Sequence, residues 1–191
     1  MANKVKFGFK NCYYAPITTG TNGAITYGTP VALRGAVSMS LSASGDNTEF
    51  YADDSLYWSD ENNNGYEGDL ELALIPEDFA VACLGYTKDT NNVVSEKATG
   101  ATSPFALLCE FTGDEGATKF AFYNCYATRP DLSATTKGEN KEVQTETLNL
   151  TIRPRATDGL VKNYTTSETP QATLDSWYTA VYEPTQPKQG N

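Results

Sequence analysis

A mainly β domain is predicted, a sandwich or barrel carrying one flanking helix and a short C-terminal helix. Three observations predict it. Twelve Tyr, eight Phe and two Trp, with many Thr and Val, favour extended chain. Apolar and polar residues alternate with period two in several separate stretches. Fifteen Gly and nine Pro punctuate those stretches with turns. At 191 residues the chain suits one domain with a sizeable core, residues 1–191.

The first strand is expected over 4–15, with Val5, Phe7 and Phe9 on one face. Residues 16–30 read as turns, Asn22-Gly23 being the strongest tight-turn signal. A second strand runs from Arg34 to Ala43, where Val37, Met39 and Leu41 alternate with Ser38, Ser40 and Ser42. The stretch 65–86 organises the chain. Tyr66, Leu70, Leu72 and Leu74 fall on one side of a strand, and Glu67, Asp69, Glu71 and Ala73 on the other. Pro76 then opens a helix over about 76–85, with Glu77 and Asp78 at its positive end and Gly85 available to close it.

Residues 87–103 read as a surface loop with a short strand near Val93-Val94. The apolar run 103–113 suits a strand buried on both faces. In 118–130, Phe120-x-Phe122-x-Asn124-Cys125-Tyr126 repeats the Phe7-x-Phe9-x-Asn11-Cys12-Tyr13 pattern, either by chance or as two equivalent strand sets. A polar loop, 133–142, leads to a strand in which Leu148, Leu150 and Ile152 alternate with Thr145, Thr147, Asn149 and Thr151. Leu174, Trp177, Tyr178 and Val181 form a helical face behind Pro170. The tail, about 184–191, has no reason to be ordered alone.

Residues 44–64 differ from the rest: carboxylates and amides are mixed with Phe50, Tyr51, Tyr57 and Trp58. Such an excursion either meets a protein partner or folds back on its own domain, and the partner is the preferred reading. Arg129, Arg153 and Arg155 are the main basic points, suited to subunit contacts or to ordinary surface charge.

Chemistry is constrained by what is missing. The chain has no His, so His-based triads and Cys/His zinc sites are excluded. Cys12, Cys83, Cys109 and Cys125 lie far apart and are expected as buried free thiols. A formal charge of −10 argues against a nucleic-acid-binding surface. No phosphate loop and no isolated acid/base pair is found, so an enzyme is not expected, and no cofactor. Asp60, Asn62, Asn64, Gly65 and Glu71 match the spacing of a calcium loop. No helix flanks them, so an Asn/Gly turn entering an acidic strand is preferred to a weak calcium site. The start MANKVKFGFKN has no signal-type apolar core and no stretch approaches a membrane span, so synthesis in the cytoplasm is expected.

Three wet strand faces add up: Ser38/Ser40/Ser42, Glu67/Asp69/Glu71 and Thr145/Thr147/Asn149/Thr151. If they share a sheet, its surface is smooth, hydrophilic and negative, and unsuited to binding DNA.

The order FKNCYYAP, RGAVSMSLSA, GYEGDLELALIPEDFAVACLGY, FAFYNCYATRP, TETLNLTIRPR and SWYTAVYEP resembles the major tail (tail tube) protein family of long-tailed, non-contractile bacteriophages. The LGY that ends the third motif departs from a commoner LGE. The resemblance implies a tail-tube-type β-sandwich whose strands join those of five other copies in an inner barrel ring. Rings stack into a hollow virion tube through which genomic DNA passes, with an extended hairpin or loop reaching the next ring. The three wet faces would then line the lumen, and 44–64 would supply the stacking contact. Implied partners are further copies of the chain and the tape measure, tail terminator and distal tail proteins, with no membrane. The alternative is a calcium-dependent carbohydrate or adhesion module on Asp60, Asn62, Asn64 and Glu71 with the exposed aromatics.

Overall fold

The computed structural model describes residues 3–21, 23–136 and 143–185. Asn22 of the expected turn, residues 137–142 of the polar loop and residues 186–191 of the tail lie outside the described residues. In chain order the elements are β1 (Phe9–Thr19), β2 (Ile25–Tyr27), β3 (Val31–Ala32), β4 (Ala36–Ser44), β5 (Asn47–Ala52), β6 (Ser55–Glu61) and β7 (Gly65–Leu72). Helix α1 (Glu77–Cys83) follows, then β8 (Thr87–Lys88), β9 (Val94–Ser95), β10 (Phe105–Phe111), β11 (Thr118–Ala127), β12 (Glu146–Ile152), β13 (Lys162–Tyr164) and helix α2 (Gln171–Ser176). The fold is mainly β, with a helix after the central strand and a short C-terminal one, as the alternation predicts.

The main sheet runs β2-β1-β10-β11-β12-β7-β4, with β3 added to β1 and β13 to β11, and its pairs are antiparallel. Strands near both ends of that order supply one core: Cys12 and Tyr14 from β1, Leu70 and Leu72 from β7, with Leu107, Phe122, Leu148 and Ile152 between them. The sheet therefore curls around its core. Helix α1 is part of that core through Phe79 and Cys83, and Phe79 meets Tyr14 and Phe105 edge-on. Pro76 caps it in extended backbone, and Gly85, at φ 77°, lets Tyr86 N–H return to the Ala80 carbonyl.

Strand β10 is buried on both faces. Phe105, Leu107 and Cys109 point into the core, while Ala106 and Leu108 join Ala15, Ala121 and Tyr123 in a second cluster on the other side. Trp177 and Val181 of the C-terminal segment cover that cluster. All four cysteines are buried and free, and burial pushes the Cys83 thiol up to about 12.

Three expectations need correction. Strand β1 starts at Phe9, and Val5 and Phe7 are exposed. Gly8, at φ 68°, breaks the alternation. The segment before it is tied to a turn instead, where Lys4 N–H donates to Asp114 and the Asn3 amide donates to the Gly116 carbonyl. Val37 is also exposed: the β4–β7 ladder pairs Ala36 with Leu72 and Ser38 with Glu71, so Val37 is the extra residue of a bulge. Leu74 lies past the end of β7 and is exposed. The FxNCY repeat corresponds to a shared irregularity: β1 and β11 flank β10 from opposite sides, and each ladder shifts register at or beside its Asn-Cys.

Candidate functional site

The three wet faces meet in one surface. Strand β7 lies between β4 and β12, and the ladders align Ser38 with Glu71 and Thr147, Ser40 with Asp69 and Asn149, and Ser42 with Glu67 and Thr151. The intervening positions, Leu70, Leu148 and Leu150, point into the core. Period-two alternation thus divides the sheet cleanly: apolar beneath, short polar and acidic groups above. The Ser38 hydroxyl donates to one Glu71 oxygen at 2.7 Å and the Thr145 hydroxyl to the other at 2.6 Å. These bonds, Thr145 first, hold the Glu71 carboxyl below its ordinary pKa, so it stays ionised. Sequence reasoning missed the next position outward: Tyr126 of β11 pairs with Thr151 and extends the Ser42–Glu67–Thr151 row. Its signal was the alternation of β11, hidden by the bulge at Asn124-Cys125.

Among the described residues this surface has two open sides. Strand β4 ends the main sheet, and the β11 side bonds β12 from Asn149 onward, where Thr128 N–H donates to the Asn149 carbonyl. Strand β4 reads AVSMSLSAS. It carries no charge and no Pro, the usual protections of an edge left in water.

The excursion at 44–64 is a two-stranded hairpin, β5 on β6, continuing the β4–β7 pair. Asn64 N–H donates to the Ser44 carbonyl and Asn62 N–H to Asp46, so the ribbon is unbroken. Phe50, Tyr51, Leu56, Tyr57 and Trp58 are all at least half exposed, Tyr57 reaching 73%. The hairpin does not fold back on its domain.

The calcium-loop spacing finds no matching geometry. Asp60 lies in β6, Asn62 and Asn64 in the connection, and Glu71 near the end of extended β7. Seven residues of strand separate Asn64 from Glu71 by about 23 Å, far beyond a shared ion. Among the described residues no group of three acidic or thiol side chains could hold a metal. Of Arg129, Arg153 and Arg155, the last is buried and engaged within the chain: it pairs with Asp158 and Glu183 at 2.7 Å each, and donates to the Tyr27 hydroxyl. It anchors the C-terminal segment, with its charge answered inside the subunit. Arg129 pairs with Glu96 at 2.8 Å, and Arg153 is exposed.

No helix among the described residues is long and apolar enough to cross a membrane. A scan against protein-family models and a search of curated proteins find no match to the sequence.

Proposed function

We propose that the protein is a structural subunit of a phage tail tube, not an enzyme. Six copies form a ring, and rings stack into a conduit for DNA in the virion. The single observation that carries this reading is the polar face bounded by an uncharged open edge. An edge of that kind is an aggregation hazard unless a neighbour's strand closes it. Pairing the β4 side of one copy with the β12 side of the next makes a ring whose inner surface is the Ser/Asp/Glu/Thr/Asn face.

The size is compatible. Three strands from each of six copies give about 18, and at a spacing of about 4.8 Å and a tilt of about 40° the backbone diameter is about 36 Å. Barrels of that strand number keep an aqueous channel. Glu67, Asp69 and Glu71 would repel phosphate, so DNA slides through without being held. The exposed aromatics of the β5–β6 hairpin would supply contact between rings. Tape measure, terminator and distal tail proteins would be further partners by the same resemblance.

Negative-stain microscopy of the concentrated protein tests the reading. Rings or tubes are expected; a compact monomer at every concentration would overturn it.

A further inference from the structure

The hairpin has a tip, and the molecule has a place that fits it. The turn residues Asp53 and Asp54 both have positive φ, 50° and 56°, the two-residue turn whose twist matches its strands. Both are exposed, and no described residue forms a salt bridge with either. At the other end of the same ribbon, beside the first residue of β4, a cleft of about 450 Å³ is bordered by Lys10, Asn11, Arg34 and Gly35.

That cleft is positive. Arg34 is exposed and forms no ion pair with a described residue. Lys10 stands 3.7 Å from the buried Glu110, whose charge is already shared with Lys119 at 3.7 Å and with the Asn11 amide and Tyr178 hydroxyl at 2.8 Å each. One enclosed carboxylate thus answers several donors, and the opening keeps cationic groups available.

We infer that the Lys10/Arg34 cleft receives the Asp53-Asp54 tip of a second copy, head to tail. The inference rests on the proposed stacking and names its contact residues. Cleft and tip lie at opposite ends of the continuous β4–β5 and β6–β7 ribbon, about 55 Å apart along extended chain. A copy displaced along the ribbon therefore brings its tip to the next cleft. The two surfaces differ, so the contact is heterologous and repeats without closing, as a tube requires. A single exposed ion pair contributes little. Six of them engaged together in a ring act as one multivalent contact.

The test uses two full-length variants, each altered at exposed side chains: Asp53→Lys with Asp54→Lys, and Arg34→Glu. Assembly is followed by sedimentation and microscopy at low salt, with circular dichroism confirming the fold. Each variant alone is expected to lose assembly by about tenfold or more, because like charges then face each other. Mixed in equal amounts they are expected to recover it, since lysine tips meet glutamate clefts and aspartate tips meet arginine clefts. Variants that assemble as the parent does, or a mixture that fails to recover, would overturn the assignment while leaving the tube reading intact. A parent protein that never assembles would overturn both.

Discussion

At the scale of single residues, charge is held in place by short hydrogen bonds that can be removed one at a time. Replacing Thr145 by Val deletes the shorter of the two bonds that hold the Glu71 carboxyl below its ordinary pKa, so it should titrate at higher pH, measurable by NMR. An unmoved titration would show that the hydroxyl bond has no effect in solution. Arg155 offers a second test. Its bond holds the Asp158 carboxyl down to about 2. Because that folded-state pKa is depressed, the contribution to stability is present above about pH 4 and fades as pH falls toward about 2. The gap in melting temperature between the parent and Asp158→Asn should therefore be widest near neutrality and close in acid. Arg155→Met should cost about 1–3 kcal/mol, less than a fully buried pair because both carboxylates remain partly in water. It should also red-shift fluorescence from Trp177, which the anchored segment keeps buried, whereas Trp58 is exposed from the start.

At the scale of elements, the sequence was most legible where alternation ran uninterrupted. Leu148, Leu150 and Ile152 lie inside and Thr147 and Asn149 outside, as their spacing requires. Alternation said which residues share a face but not which strands are neighbours. The adjacency of β4, β7 and β12 is a long-range pairing, and only the ladders reveal it. Legibility failed where one residue was added or the chain was redirected. The bulge at Val37 and the left-handed backbone at Gly8 each put an apolar side chain in water, and the spacing of apolar residues alone predicts neither. The burial of Arg155 leaves no local signal, because it depends on a partner distant in sequence, Glu183. Gly65 shows how tightly one junction is fixed. At φ 100°, with the Ile152 carbonyl where a side chain would begin, Gly65→Ala should destabilise the fold by about 1–3 kcal/mol in a denaturant titration. The hairpin should behave oppositely. Tyr57→Ser with Trp58→Ser removes side chains that pack little within the subunit, so the melting temperature should hold within a few degrees while assembly is lost. Loss of the fold instead would mean that the hairpin is part of the domain's own stability.

At the scale of the whole molecule, the proposed tube separates two requirements that a charge change can tell apart. Ring closure depends on backbone edges, whereas passage of DNA depends on the side chains that face it. Glu67, Asp69 and Glu71 point away from the core and belong to the middle strand of the face, so replacing all three with Lys leaves both edges untouched. Assembly should persist, with the added requirement that Ser38 and Thr145 lose their carboxylate partner. In a six-fold ring the change converts about 18 negative charges into as many positive ones, enough to bind phosphate with a steep salt dependence. Tubes of the parent should let labelled duplex pass a filter assay unretained. Tubes of the triple variant should hold it at low salt and release it as salt rises, and phage carrying the variant should eject DNA slowly. Retention that is unchanged between the two tubes would mean that this face does not line the bore, even if the tubes themselves form.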